Sequence, residues 1–333
     1  MWLRSYLILA ASLASACGGT EAPPSDASSP GDTPCERGAG WSTAPAVLGG
    51  AIQETAVVEL DGKLYVLGGF NASSGVMPSV RIYDAATCTW SDGPELPRAV
   101  HHVNAAVAGG TLYVLGSMQG TTFTPTGEVW AWAPSTDAGW TPRASMPDGT
   151  QRASAVVGVI DGRIYLAGGL SSRASAAFSA YSIADDAWDT ALPPLPRITD
   201  HACGGVIGGK LYVVGGRAGS TATNSAQVFE YTPGGGDWVK KTSMPTPRGG
   251  TACGIHGERI VVVGGEGNRD AASGVFPLVE AYTASADRWD SLDPMPTPRH
   301  GMGAAVIDGV LYVPGGASRE SFSAVATHEA LRL

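Results

Sequence analysis

A period of about 50 residues runs through most of this chain and limits the folds available to it. Tryptophans recur at spacings of 48 to 51 residues, at Trp41, Trp90, Trp140, Trp188, Trp238 and Trp289. Glycine pairs recur with a similar spacing, at Gly68-Gly69, Gly168-Gly169, Gly215-Gly216, Gly264-Gly265 and Gly315-Gly316, with Gly116-Ser117 in the second repeat. Two independent markers with one period indicate repeated units that pack against their neighbours.

The residues around each glycine pair predict four strands per repeat. A continuously apolar run, such as residues 64–67, ends at the glycines, which is typical of a strand buried on both faces. A pair such as Asp61-Gly62 precedes each run and supplies the positive φ angles of a tight hairpin turn. One apolar strand lies upstream of that turn, and two more follow the glycines. A four-stranded antiparallel sheet of this kind is one blade of a β-propeller.

The markers also predict how the ring closes. The last repeat ends with a strand around residues 325–331, and no Trp follows it. Trp41 stands ahead of the first complete repeat. We therefore expect Trp41 and its neighbours to form the outermost strand of the sixth blade, because that blade would otherwise keep an exposed edge. The predicted fold is an all-β, six-bladed propeller.

A period near 50, with an apolar strand that ends in Gly-Gly and a later Trp, resembles the Kelch repeat over about residues 41–333. The resemblance implies a Kelch-type propeller with four-stranded blades. In similar Kelch proteins the rim of the channel binds acidic peptides or sugars. That behaviour is an expectation for the present chain.

The N-terminus has the pattern of an export signal. Arg4 precedes a short apolar stretch that ends in Ala14-Ser15-Ala16, directly ahead of Cys17. The residues up to Cys17 also resemble the lipobox of bacterial lipoproteins, although Leu13 stands four residues before the Cys instead of three. This resemblance implies a lipid on the Cys17 sulfur. Cleavage by an ordinary signal peptidase, which leaves Cys17 as the N-terminus, is the alternative.

These features predict three segments. Residues 1–16 are the signal peptide, residues 17–34 are the lipidated Cys and a flexible tether rich in Gly, Pro and Ser, and residues 35–333 are the propeller. The expected location is the bacterial cell envelope, as an outer-membrane lipoprotein or in the periplasm. Contact with the membrane is expected through the lipid alone.

The charge balance excludes one class of partner. The formal net charge is −9, whereas phosphate contacts need a basic surface. We therefore expect no nucleic acid partner, and we expect a monomer.

Polar side chains gather where each predicted inner strand begins, on the face that also carries the loops after the glycine pairs. We call this the loop face. The candidate ligand-binding residues are Glu54, Arg98, His101, His102, Arg152, Arg197, Asp200, His201, Arg248, Arg299 and His300. Five arginines in an acidic protein predict a positive channel mouth able to hold a carboxylate. The alternative is that Arg after Pro is a recurring Kelch feature that bonds neighbouring blade backbones, with the histidines solvated.

The predicted function is a cell-envelope binding module that presents the loop face to a carbohydrate, an acidic peptide or a protein. The alternative is a carbohydrate-active enzyme similar to bacterial sialate mutarotases, with Arg98, Arg197 and Glu54 in the channel. The sequence has no G-x-S-x-G elbow, P-loop or H-E-x-x-H motif. We therefore assign no catalytic residue and expect no cofactor.

No metal site is expected either. Plant specifier proteins share Kelch repeats and use a Glu-x₃-Asp-x₃-His iron motif, to which Glu266 and Asp270 conform while Gly274 replaces the His. The alternative is a transition-metal site at His101, His201 and His300, from the second, fourth and sixth repeats. Such a site requires ring nitrogens about 3–4 Å apart, and polar lining of the mouth is the expectation adopted.

The cysteines are less informative. Cys203 and Cys253 occupy matching places in two inner strands, and we expect them to be small buried residues, because inner strands of neighbouring blades can stand too far apart for a disulfide. Cys35 and Cys88 could pair across the closure, and the sequence does not decide this.

Overall fold

A computed structural model describes residues 38–136 and 138–333. The predictions for Cys17 and for residues 1–16 and 18–34 therefore concern residues outside the described part of the chain. Within that part, no helix is long and apolar enough to cross a bilayer.

The regular secondary structure of the described chain is almost entirely β-strand, with two short 3₁₀ helices, Pro134–Thr136 and Thr221–Thr223. In chain order the strands are β1 Gly40–Thr43, β2 Ile52–Gln53, β3 Ala56–Leu60, β4 Lys63–Leu67, β5 Phe70–Asn71, β6 Val80–Asp84, β7 Thr89–Asp92, β8 Ala105–Ala108, β9 Thr111–Gln119, β10 Thr124–Trp132, β11 Thr141–Arg143, β12 Val156–Ile160, β13 Arg163–Ala167, β14 Phe178–Ser182, β15 Ala187–Asp189, β16 Cys203–Ile207, β17 Lys210–Val214, β18 Val228–Tyr231, β19 Val239–Lys241, β20 Ala252–His256, β21 Arg259–Val263, β22 Val279–Thr283, β23 Arg288–Leu292, β24 Ala305–Ile307, β25 Val310–Pro314 and β26 His328–Arg332.

These strands form six four-stranded antiparallel blades. Blade 1 has the order β3-β4-β6-β7, and blades 2 to 5 take β8–β11, β12–β15, β16–β19 and β20–β23 in succession. Blade 6 is β24-β25-β26-β1, and β2 pairs with β5 as a separate short ladder. Each inner strand contacts the inner strand of the next blade, and β24 contacts β3. The blades therefore surround one axis as a closed ring, which confirms the predicted six-bladed propeller.

The N-terminal strand closes the ring as predicted. In blade 6, β1 pairs antiparallel with β26, and Trp41 lies opposite Leu331. The last strand begins at His328 rather than near residue 325, because the backbone of Val325 pairs with Ile52 instead. Blade 6 is thus assembled from both ends of the propeller, and β1 covers the edge that β26 would otherwise expose.

The periodic tryptophans connect neighbouring blades. The indole Nε1–H of each one donates to a backbone carbonyl of the preceding blade at 2.9–3.0 Å. In chain order of the tryptophans, the acceptors are Asp293, Pro45, Pro94, Ala144, Pro193 and Thr242. One such bond per blade explains why Trp has the period of the repeat.

Three of the predicted site arginines are instead part of the blade interiors. The side chains of Arg152, Arg248 and Arg299 are at most 2% exposed. The Nε–H of Arg152 donates to the carbonyl of Gly168 at 2.8 Å. The Nε–H of Arg248 makes the equivalent bond to Gly264, also at 2.8 Å. The prediction that these arginines line the channel mouth is therefore wrong. They bond the backbone of their own blade, whereas the alternative expectation was that they bond the backbone of a neighbouring blade.

Two of these arginines also pair with buried carboxylates. Arg248 bonds Glu280, and Arg299 Nη2–H donates to Glu329 at 2.8 Å. Burial lowers the pKa of both guanidinium groups, and the carboxylates partly oppose this. Arg152 has Ser179 in place of a carboxylate, and burial lowers its pKa to about 10.

Blades 4 and 5 are cross-linked, contrary to the expectation for their cysteines. Cys203 at the start of β16 and Cys253 in β20 form a disulfide with a Cα–Cα distance of 5.6 Å. The two inner strands are near neighbours because inner strands converge toward the axis. Cys88 is also disulfide-bonded, and Cys35, its suggested partner, lies outside the described residues.

Candidate functional site

One residue just ahead of each inner strand has a left-handed backbone conformation. These six residues, which we call the entry ring, are Glu54, His102, Ser154, His201, Gly250 and Gly301, with φ between 50° and 66°. The backbone N–H of five of them donates to the carbonyl of the ring residue in the preceding blade, at 2.6–3.0 Å. The entry ring therefore joins the blades around the axis by backbone bonds, whatever side chains it carries.

A second set of equivalent residues stands next to the entry ring. The residue that follows each glycine pair forms a short antiparallel bridge with the residue that precedes a ring member. The pairs are Gln53–Phe70, His101–Met118, Ala153–Leu170, Asp200–Arg217, Gly249–Glu266 and His300–Ala317. Arg217 and Phe70 were not among the candidates predicted from the sequence, although their fixed place directly after a glycine pair could have indicated them.

A cavity of about 330 Å³ lies on the loop face, and all six blades contribute to its lining. Glu54, His102 and His201 of the entry ring line it together with His300. Its other walls carry Phe70, Phe123, Leu170, Arg217, Glu266, Glu320 and Phe322, among others. The cavity thus combines a polar floor with aromatic side chains.

The carboxylate of Glu54 is at the centre of the polar floor. Its Oε2 lies 3.2 Å from Nε2 of His102, and its Oε1 lies 3.8 Å from Nε2 of His300. Burial alone would raise the pKa of Glu54, but the nearby histidines and Arg217 outweigh it and lower the pKa to about 2. A Cβ at Gly301 would collide with this carboxylate, so a glycine in the entry ring provides the space that Glu54 occupies.

The histidines of this region form a chain of close contacts. The ring of His101 bridges the carbonyl of Gly120, at 3.0 Å from Nε2, and Nδ1 of His102, at 2.6 Å from Nδ1. Nε2 of His102 lies 3.0 Å from Nε2 of His201, whose Nδ1 lies 2.5 Å from Asp200. Burial lowers the pKa of His102 to about 3, although Glu54 opposes this, and burial also lowers the pKa of His101. The ring of His102 is therefore neutral near pH 7.

Arg217 connects two acids beside the histidines. Its Nε–H donates to Asp200 at 3.2 Å, and its Nη1–H donates to Glu266. Burial would raise the pKa of Asp200, but the bonds from His201 and Gly219 and the charge of Arg217 lower it. The charge of Arg217 is thus balanced inside the cavity wall.

The structure brings together some of the predicted site residues and separates others. Glu54, His102, His201 and His300 line the cavity, Asp200 bonds His201 from behind, and all five are buried or nearly so. The three histidines are buried, which contradicts the alternative expectation that they are solvated.

The remaining predicted residues lie elsewhere. The ring of His101 is turned toward Gly120 and packs at a tilt against Phe70, with 4.2 Å between ring centroids, so it does not converge with His201. Arg98 is exposed and paired with Glu128, and Arg197 bonds the carbonyl of Thr223. The predicted positive mouth is therefore wrong, because its arginines are either inside the blades or bonded at the periphery.

Comparisons with known proteins agree with the fold. A family model described as Kelch motif matches residues 54–97 and 200–245. The chain is 34% identical to the Kelch-like protein terF of Aspergillus terreus, over 83% of this chain and 64% of that protein. It is 29% identical to human Kelch-like protein 23, over 62% of this chain and 36% of that protein. The chain thus spans less than two thirds of the length of either relative.

A solved structure titled "Structure of YjhT" superposes with a TM-score of 0.70 at 16% identity. The match covers 86% of this chain and 96% of that chain. At this level of identity the similarity concerns the fold alone.

Proposed function

Because the chain belongs to the Kelch-repeat β-propeller family, we propose that it is an interaction module of the bacterial cell envelope whose loop face binds a protein partner. A Kelch propeller fold suggests a protein-interaction module. The partner and the envelope location are the parts that this proposal adds. No comparison favours the carbohydrate-active enzyme.

The observation that carries the proposal is an aromatic cluster at the mouth of the cavity. Phe322 of blade 6 packs edge-on against Phe70 of blade 1 at 4.9 Å, and Phe70 lies 6.0 Å from Phe123 of blade 2. Phe70 is fully buried, whereas Phe322 is 49% exposed. An aromatic side chain that is supported from below and exposed above is the kind of residue that dominates binding energy at protein interfaces.

The charges of the cavity bear on the chemistry of the partner. An acidic peptide was one expectation, and it depended on five arginines in the mouth. Three of these are buried in the blades, while Glu54, Glu266 and Glu320 line the cavity. We therefore propose a partner segment that places an apolar side chain against Phe322 and presents no cluster of acids to the floor.

Replacing Phe322 by Ala should weaken partner binding about tenfold, because the exposed aromatic contact is lost. Val239→Ala is a matched control, since Val239 is 53% exposed but lies on the outermost strand of blade 4, away from the loop face. Full-length protein and both variants would be compared by crosslinking in cells at equal expression. One partner should be recovered with the wild type and Val239→Ala, and much less with Phe322→Ala.

Equal recovery with all three proteins would contradict the proposal. A glycan array supplies the second arm. Three results together would show that the loop face binds carbohydrate instead: the wild type captures a sugar, Phe322→Ala does not, and no protein is crosslinked.

Membrane attachment is a separate part of the proposal and rests on the sequence before residue 35. Cys17→Ser removes the sulfur that would carry the lipid, so the variant should move from the membrane fraction to the soluble fraction. Fractionation followed by immunoblotting measures this. Unchanged membrane association would show that Cys17 is not the anchor. A Ser15→Ala variant is the control, since it keeps both the Cys and the small residues before it.

A further inference from the structure

Three ligand-type atoms from three blades meet at the floor of the loop-face cavity. Nε2 of His102 lies 3.0 Å from Nε2 of His201 and 3.2 Å from Oε2 of Glu54. One donor atom from each of these residues lies within 4.8 Å of the others. Two ligands that share an ion at about 2.0–2.2 Å stand roughly 3–3.5 Å apart. The spacing therefore matches that of a metal site.

The hydrogen bonds around the histidines decide which nitrogens carry protons. Asp200 can only accept a bond, so His201 donates from Nδ1, and its Nε2 keeps a lone pair. The carbonyl of Gly120 likewise requires His101 to donate from Nε2, so Nδ1 of His101 accepts from Nδ1–H of His102. In its neutral form His102 then also has its lone pair on Nε2.

The consequence is a contact between electron-rich atoms with no hydrogen between them. The lone pair on Nε2 of His102 lies 3.0 Å from that of His201 and 3.2 Å from the Glu54 carboxylate, and all three ligand atoms lie within 4.8 Å of one another. Such an arrangement is repulsive unless a cation lies among the three atoms. We infer that Glu54, His102 and His201 form a binding site for one divalent first-row transition metal ion. This replaces the expectation of no metal, and it uses Glu54 and His102 where the three-histidine alternative used His101 and His300.

The residues behind these ligands are arranged as in known metal sites. Each imidazole is oriented by a bond at its other nitrogen, His201 by the carboxylate of Asp200 and His102 by the His101–Gly120 pair. Bonds of this kind fix the tautomer and raise the basicity of a ligating histidine. All three ligands also have their backbones in the entry ring, and Glu54 and His102 are bonded to neighbouring ring members there.

His300 offers a further nitrogen beside this cluster. It is 2% exposed, its Nε2 lies 3.8 Å from Glu54, and its Nδ1 has no hydrogen-bond partner in the described part of the chain. A buried imidazole with an unpartnered nitrogen is unusual in a protein interior.

The donor set indicates the class of metal. Two imidazoles and one carboxylate suit Zn²⁺, Fe²⁺, Co²⁺ or Ni²⁺, whereas Mg²⁺ and Ca²⁺ prefer sites made of oxygen alone. Three protein ligands leave at least one coordination position free, and all three residues line the loop-face cavity. The inference does not depend on the proposed protein partner, because metal binding is measured on the isolated protein.

The test uses the full-length protein after dialysis against a chelator, titrated with Zn²⁺ by calorimetry and with Co²⁺ by visible absorption. The wild type should bind one equivalent of either ion, and the Co²⁺ bands should show nitrogen and oxygen ligands. Glu54→Gln and His201→Asn should each weaken binding at least about tenfold. Asn at position 201 tolerates the left-handed backbone, and Gln at position 54 has the shape of Glu.

His256→Gln is the matched control, because His256 ends β20 at the opposite end of the inner strand from the entry ring. It should bind metal like the wild type. A wild type that binds much less than one equivalent would overturn the inference and leave an additional proton as the cation. Stoichiometric binding that survives both Glu54→Gln and His201→Asn would overturn it as well. Should a variant fold poorly by circular dichroism, the Co²⁺ spectrum of the wild type decides.

Discussion

Replacing Cys203 and Cys253 together by Ala is expected to lower the free energy of unfolding by about 4 kcal/mol. Their disulfide closes a loop with a sequence separation of 50 residues, so its loss gives the unfolded chain considerably more conformational entropy. Guanidinium denaturation of the oxidised proteins measures the difference. The double variant is preferable to reduction, because Cys88 is also disulfide-bonded and a reductant would break that bond too.

A decrease below about 1 kcal/mol would contradict this expectation. It would mean that the contacts between the inner strands of blades 4 and 5 persist in the denatured chain, and that the disulfide adds little to them. The slope of the denaturation curve tests this explanation, because a denatured chain that keeps these contacts exposes less surface on unfolding and gives a lower slope.

The second large effect is expected at a buried ion pair. Arg248→Met should cost about 3–5 kcal/mol, because it removes the charge that pairs with the buried Glu280 carboxylate and leaves the Gly264 carbonyl buried without its donor. Thermal and denaturant unfolding measure this loss. Arg98→Met is the control, since Arg98 also pairs with a glutamate but is exposed, and its loss should cost less than about 1 kcal/mol.

A double variant shows where the cost arises. Arg248→Met/Glu280→Met removes both charges, so it should recover a substantial part of the stability lost in the single variant. If the double variant is as unstable as Arg248→Met alone, the main role of the arginine is its bonds to backbone carbonyls, and the ion pair contributes little.

The blades and their closure could be predicted because the residues that repeat act locally. Trp41 donates to the preceding blade in the same way as the five later tryptophans, so its position alone implied a partner blade. The hairpin turns and the buried strands likewise depend on residues that are close in sequence. Identical local roles at a fixed period are visible without coordinates.

The composition of the site was harder to predict, because it depends on side-chain direction and on the radius of the ring. His101 and His102 are adjacent, and only the left-handed backbone of His102 determines which of them faces His201. The disulfide between Cys203 and Cys253 requires that two inner strands approach closely, and the repeat length carries no information on that distance.

The arginines show a third limit. Arg152 and Arg98 both stand near the start of an inner strand, yet one is buried and the other is paired at the surface. Both arginines count as one positive charge in the sequence, so a count of charges overestimated the positive electrostatic potential of the channel mouth. The distance to the entry ring would have been a better guide, because Arg152 precedes Ser154 by two residues, whereas Arg98 precedes His102 by four.

The entry ring also separates the shape of the propeller from its chemistry. Ser154, Gly250 and Gly301 adopt the same backbone conformation as Glu54, His102 and His201, although their side chains have nothing in common. Each position therefore keeps one backbone conformation with different side chains, and the space at the axis decides which neighbours can be combined, as Gly301 and Glu54 show. Related propellers can therefore gain or lose reactive side chains at single entry-ring positions, while the blades and the backbone bonds of the ring stay the same.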